Sequence, residues 1–305
     1  MSLAWWLAHA PGMRRVWMGM ALLGSFGLGT FLLLVGPRGW QASTRACRLP
    51  SIDSDLFFLK VPHLVRRGPD RLVVLRLGLR SRLVPHRLEP GPDGFIQPRS
   101  IEAWAAHLGA PVVVNSGQFD ANLQYLGLLK SRGAWLSAQR KPAFLGLLVS
   151  GPLALRAASA GPQSKILDLA APPYRDQPMQ AIVDGYQNVV QSMMLVDEAA
   201  QVRVRKSELA ACRTVIAEDR SGHLLILATE GAVTLHELAG WLSQSELQVV
   251  RAMNLDGGRE SQLAIRTPEL SLTLYGQYGT GAPILQPAKM VHVPLPTVIA
   301  VEIAP

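Results

Sequence analysis

Beyond residue 55 the chain is a succession of short, β-favouring runs cut apart by Gly, Pro, Asp and Ser. That punctuation limits the folds open to it more than any other feature. Strands are expected at Leu56–Val61, Arg71–Leu77, Pro111–Asn115, Tyr125–Lys130, Ala134–Leu136, Ala143–Val149 and Leu153–Arg156. Others follow at Val189–Val196, Gln201–Val204, Val249–Leu255, Gln262–Arg266 and Val298–Ile303. Arg213–Glu218 and His223–Thr229 read as a hairpin turning at Arg220-Ser221-Gly222. Only two stretches carry clear helical spacing. Arg99–Leu108 places Ile101, Trp104, Ala105 and Leu108 on one face before Gly109 and Pro111 stop it. Thr234–Ser243 opens with Thr234 and Glu237 in a capping-box pattern. Ser159–Pro178, rich in Pro, Ala and Gly, reads as a surface loop or lid. Strands outnumber helices and follow one another directly. The expected fold class is therefore α+β, a largely antiparallel or mixed sheet with a few packed helices, and not a doubly wound fold.

Ahead of the strands, Val16–Val35 (VWMGMALLGSFGLGTFLLLV) runs for twenty residues without a charge. At ~1.5 Å per residue it would cross the ~30 Å hydrocarbon core of a bilayer. Its glycines are common in membrane spans, and Trp5, Trp6, Trp17 and Trp40 suit the interfacial belt. The run is longer than a secretory h-region, and Trp40-Gln41-Ala42 puts a bulky side chain where cleavage needs a small one. The expected organisation is residues 1–36 as cytoplasmic leader and transmembrane helix, 37–53 as linker, and 54–305 as the domain. Arginines flank both ends of the span, so charge does not decide its orientation. A leader this short needs no translocation, which places the domain on the extracytoplasmic, periplasmic side of the inner or plasma membrane.

The formal net charge is +8, and only 17% of residues are charged. This composition is globular, and its arginines suit anionic surfaces such as phospholipid headgroups or acidic glycans. With no basic helix, zinc finger or aromatic RNA-binding run, nucleic acid is not an expected partner. Cys47 and Cys212 are either one long-range disulfide or two thiols, and their separation in sequence does not decide between these.

Four stretches set polar residues at strand ends, three of them beside glycine, where a site is expected. They are Val112–Asp120 (VVVNSGQFD), Cys212–Asp219 (CRTVIAED), Ala228–Gly231 (ATEG) and Met253–Leu263 (MNLDGGRESQL). In the last, Asp256 leaves an apolar strand directly into Gly257-Gly258. Paired glycines let backbone amides approach a ligand oxygen, though Asp-Gly also makes ordinary hairpin turns.

Taken in order, NSGQF, LGLL (Leu126–Leu129), VVQSMMLVD, CRT, ATEG with its helix, and NLDGG resemble the phosphodiester glycosidase family. The resemblance runs from about Leu56 to the C-terminus and strengthens from Val112. It implies hydrolytic removal of a sugar from a glycosyl phosphodiester, in cell-envelope or exopolysaccharide metabolism. Asn115, Arg213, Thr214, Asn254, Asp256, Gly257 and Gly258 match its motifs, and Ser261 does so with a one-place offset. Arg259-Glu260-Ser261 departs from the Gly- and Ser-rich continuation of many members.

Glycoside hydrolysis commonly uses two carboxyl groups. Asp256 is the first candidate and Glu230 the second, with Glu260 and Asp120 behind. Arg213 offers a planar fork for phosphate oxygens, with a structural ion pair to Glu218 or Asp219 as its competing role. Asn115 and Asn254 suit sugar hydroxyls; Thr214, Gly257, Gly258 and Ser261 complete the expected substrate-binding set. No cofactor is required, although Asp256, Asn254 and Asp120 offer hard oxygen ligands for Ca²⁺ or Mg²⁺. The main alternative is a non-catalytic module of the same fold that binds an anionic envelope glycan. A serine hydrolase is disfavoured because Ser116 and Ser261 lie in no GxSxG elbow.

Overall fold

In the computed structural model, residues 45–89, 91, 96–153, 162–279 and 292–303 are described. The expected membrane anchor, Val16–Val35, lies outside them. Among the described residues no helix is long and apolar enough to cross a membrane. Those residues form eighteen strands and three α-helices, with every strand pairing antiparallel.

The chain opens with β1 (Arg45–Leu49), β2 (Ser54–Lys60), β3 (Arg71–Arg76) and β4 (Ser81–Arg87). Helix α1 (Ile101–Leu108) follows, then β5 (Val112–Asn115), β6 (Leu129–Ser131), β7 (Ala134–Ser137), β8 (Gly146–Pro152) and β9 (Ser164–Asp168). Helix α2 (Met179–Asp184) precedes β10 (Tyr186–Val196), β11 (Ala210–Ala211), β12 (Arg213–Asp219), β13 (Leu224–Thr229) and β14 (Val233–Thr234). After α3 (Leu235–Leu242) come β15 (Val249–Gly257), β16 (Gln262–Arg266), β17 (Ser271–Tyr275) and β18 (Thr297–Ile303).

Two sheets hold most of the strands. The larger runs β1-β2-β3-β13-β12-β15-β10-β6-β7, with β8 and β9 attached through β10. The smaller is ordered β17-β16-β5-β18-β4. Their facing sides make the main core. Val73, Leu75, Ile216, Ile226, Met253 and Leu255 of the large sheet share one cluster with Leu83, Val112, Val114, Leu263, Ile265 and Ile299 of the small one. Successive side chains on a strand point to opposite faces, so the outer faces must be covered too. On the large sheet, Val215, Ala217 and Ala252 pack against Leu238, Ala239 and Leu242 of α3. On the small sheet, Val113, Ala264 and Ala300 pack against Ile101, Trp104 and Ala105 of α1. This double coverage explains why β13 is apolar at nearly every position and buried at all of them.

Both long helices begin as their sequences require. Ser100 Oγ accepts the Ala103 amide, and Gly109 closes α1 in a left-handed conformation. Thr234 Oγ1 accepts the Glu237 amide and donates to its carboxylate. Elsewhere the structure corrects the reading. The expected linker 37–53 supplies β1, so the folded unit begins no later than Arg45. The expected loop Ser159–Pro178 contains β9, which pairs with β8; Ser164 Oγ accepts the Leu83 amide and donates to the Ser81 carbonyl. Gln201–Val204 makes only an isolated bridge, Val202 to Val196. Leu153 lies in a turn, and the rest of the strand expected at Leu153–Arg156 is outside the described residues. Cys47 and Cys212 are separate free thiols.

Candidate active site

Four strand ends from the two sheets meet at one place: the end of β5, the head of β12, the end of β15 and the start of β16. Asn115 ties them together. Its Oδ1 accepts from Thr214 Oγ1 at 2.8 Å and from the Gln262 amide at 3.0 Å. Its Nδ2 donates to the carbonyls of Ser116 and Asp256, at 3.1 and 3.2 Å. Asn115 is 1% exposed and Thr214 is fully buried. Their polar capacity is spent on the backbone, so both position the site and leave no group for a sugar hydroxyl.

The same clamp fixes Asp256. Its amide donates to the Ser116 carbonyl at 3.0 Å, and its carbonyl lies 2.9 Å from Thr214 Oγ1. The register beside it is irregular. Val215 lies opposite Asn254, but Arg213 lies opposite Gly257, so Leu255 and Asp256 together face the single residue Thr214. This is a β-bulge, which bends the strand and re-aims a side chain. Leu255 remains in the core while Asp256 is partly exposed.

Burial pushes the Asp256 carboxyl up to about 7. The Gly257 amide, 2.8 Å from Oδ1, works against that rise, the negative charge of Glu260 adds to it, and Arg213 opposes it. At neutral pH Asp256 is therefore populated both as acid and as carboxylate, the state suited to proton transfer.

Arg213 is 9% exposed, and burial lowers its pKa while the charge of Asp256 restores part of the loss. Nε donates to the Val233 carbonyl at 3.4 Å and Nη2 to the Leu209 carbonyl at 3.2 Å. Glu218 and Asp219 are paired elsewhere, with Arg251 and Arg76 respectively, which removes the competing role for Arg213. Gly257 is extended, so conformation does not require glycine there; space does. A Cβ at that position would lie 2.7 Å from Arg213 Nη1 and 3.0 Å from the Cys212 carbonyl. Gly258 has φ +77°, a left-handed backbone, and its amide donates to the Cys212 carbonyl at 2.8 Å. Ser261 closes the turn, its amide on the Gly258 carbonyl at 3.3 Å and its carbonyl accepting from Gly276 at 2.7 Å.

Some expected residues are engaged elsewhere. Glu230 is ion-paired with Arg71, and its carbonyl lies 3.3 Å from Cys212 Sγ. The carboxylate that acts on Asp256 is Glu260, in the turn that departs from the family pattern. Asp120 caps its own loop, with Oδ1 accepting the Asn122 and Gln124 amides at 2.9 Å each. Asn254 is 2% exposed, with Oδ1 buried and unpartnered among the described residues. Among the described residues no group of three His, Cys, Asp or Glu side chains is arranged to hold a metal ion.

Two features of the site had no sequence signal. Tyr125 is buried with its hydroxyl donating to the Gln191 carbonyl at 2.8 Å, and it feels the charge of Asp256. A Cβ on Gly117 would sit 2.4 Å from that hydroxyl, which accounts for the glycine of NSGQF. A hollow of about 310 Å³ opens beside Arg213, sharing the wall residue Leu209 and bounded by Gly279 and Arg67.

A family model described as phosphodiester glycosidase matches residues 108–302. A comparison with curated proteins finds no match. Among solved structures, the chain is similar to the zebrafish N-acetylglucosamine-1-phosphodiester alpha-N-acetylglucosaminidase catalytic domain auto-inhibited by pro-peptide. Identity is 14%, the TM-score is 0.50, and the match covers 85% of this chain and 81% of that one. A hypothetical protein from Synechocystis is 15% identical with a TM-score of 0.46, over 81% of this chain and 62% of that one. At 14% identity the likeness to the zebrafish domain bears on the fold alone.

Proposed function

The chain belongs to the phosphodiester glycosidase family, whose matched span contains every residue of the Asn115–Ser261 cluster, and from that premise we propose that it hydrolyses the glycosidic bond of a glycosyl phosphodiester. Water adds to the anomeric carbon, the bond to the bridging oxygen breaks, and the phosphate leaves as a monoester carrying that oxygen. Asp256 is the proton-transfer group of this step. Its pKa of about 7 lets it give a proton to the departing oxygen or take one from water. Burial keeps Asp256 partly protonated, and Glu260 is the second carboxylate, whose charge adds to that effect. Arg213 faces the negative phosphate. Its guanidinium is buried, and a buried cation gains most from an anion brought against it.

The observation that carries this reading is the bulge that sets Asp256 beside the residue opposite Arg213, whose Nη2 donates to the Leu209 carbonyl on the wall of a hollow. The test is release of reducing sugar from a panel of sugar-1-phosphate methyl esters. Wild-type protein is expected to release sugar from at least one ester, and Arg213→Ala and Asp256→Asn to release none above background. Equal release by all three proteins would remove both residues from the chemistry. Binding of an anionic glycan without release would favour the module reading, to which the net charge of +8 lends support. The uncharged run Val16–Val35 supports anchoring with the domain on the extracytoplasmic side, in envelope or exopolysaccharide metabolism. Release of the full chain from membranes by alkaline carbonate would refute that anchoring.

A further inference from the structure

The hollow beside Arg213 contains a cation that the reaction as described does not use. Arg66 and Arg67 both line it, yet they are held differently. Arg66 is ion-paired with Glu237 on α3, and Glu208 on the same wall raises its pKa further. Its charge is already answered. Arg67 makes no ion pair among the described residues, and its Nε is buried with no hydrogen-bond partner among them. A buried donor without an acceptor is costly and needs an explanation. What fixes Arg67 is packing. Its guanidinium lies over the Tyr278 ring, 5.0 Å from the centroid. That ring in turn packs on Gly68, where a Cβ would sit 2.3 Å from it. The Arg67 backbone is held through the Ala232 amide at 2.7 Å.

Two wall residues of the hollow touch residues of the site. Leu209, on its wall, accepts from Arg213 Nη2. Gly279, also on its wall, lies against Gly258 of the Asp-Gly-Gly turn, with 3.3 Å between its Cα and the position of a Gly258 Cβ. That buried Nε is closed to a ligand, but an oriented arginine on the wall of a hollow, with no ion pair among the described residues, has the features of an anion site.

We propose that this hollow is the aglycone-side subsite and that Arg67 binds the phosphoryl group carried there, as a second cation beside Arg213. The assignment rests on the glycosyl phosphodiester reading, but its anion-binding content is measurable without turnover. Arg67 lies in the connection between β2 and β3, ahead of the family-matched residues 108–302.

The experiment is calorimetric titration of the full chain, at neutral pH and low salt, with inorganic phosphate, methyl phosphate and dimethyl phosphate. Wild-type protein is expected to bind at least one of them. Arg67→Gln should weaken that binding at least about tenfold, Arg67→Lys should restore part of it, and Arg66→Gln should stay within about twofold. The monoesters separate a site for the departing product from one for the intact diester, which dimethyl phosphate represents. Affinity unchanged by Arg67→Gln, or no binding by wild-type protein, overturns the proposal. An Asp256→Asn variant that binds phosphate normally but releases no sugar keeps the two readings apart, because failure of catalysis then leaves the anion site intact.

Discussion

Asp256 should cost the folded protein stability above neutral pH, and removing its charge should return that stability. Its carboxyl is raised from 3.8 to about 7, chiefly by burial. Below about pH 4 both the folded and unfolded states carry the proton, and the group is neutral in the balance. Between about 4 and 7 the unfolded chain releases the proton while the folded chain keeps it, so stability falls as pH rises through this window and levels off above about 7. At ~1.4 kcal/mol for each tenfold change in proton affinity, the full cost is at most about 4 kcal/mol. Partial exposure of Asp256 reduces this to about 1–3 kcal/mol. Asparagine keeps the shape and can still accept the Gly257 amide, but it cannot ionise. Urea unfolding of Asp256→Asn and wild type should therefore show the variant more stable by about 1–3 kcal/mol at pH 8, with the gap closing towards pH 4. The same variant should lose sugar release. A stability difference that does not change between these pH values would mean the carboxyl is not desolvated, and its role as a neutral-pH proton carrier would fall with it.

Gly257→Ala places a methyl against Arg213 Nη1 and the Cys212 carbonyl. It should cost about 1–3 kcal/mol in urea unfolding and abolish sugar release by displacing the guanidinium. Asn115→Leu leaves Thr214, the Gln262 amide and the Asp256 carbonyl short of a partner, and is expected to lower stability by about 2–4 kcal/mol. Glu230→Gln breaks only a partly exposed pair with Arg71, so stability should change by less than about 1 kcal/mol and sugar release by less than about twofold. A large loss of turnover there would return Glu230 to the catalytic set.

The sequence showed where the site lies more clearly than what each residue does there. Asn115, Arg213, Thr214 and Asp256 all stand at strand ends, Asn115 and Asp256 close to glycines, and the structure brings all four together. Their roles depended on pairing between segments far apart in the chain. Asn115 looks like a ligand for sugar until β12, β15 and β16 use all its hydrogen bonds. Glu230 looks like a second carboxyl until Arg71, 159 residues away, takes it. Conversely, the Glu260 departure brings in the carboxylate that acts on Asp256. The fold was read in the same uneven way. Both long helices were legible because caps and apolar spacing are local. Strand β4 was not, because Pro85 interrupts it; it lies at the edge of the small sheet, paired only with β18, where a missing amide is tolerated. Arg67 gave no signal at all, since nothing local marks an arginine that will stack on a tyrosine more than two hundred residues later.

The extra residue in β15 opposite Thr214 makes the aim of the reactive carboxylate a matter of counting. Remove Leu255 and the ladder becomes regular, with each later side chain turning to the opposite side of the sheet. Every group needed for the chemistry would still be encoded, yet the aspartate would point elsewhere. Deletion of Leu255 is thus a way to silence the protein while sparing every polar residue of the site.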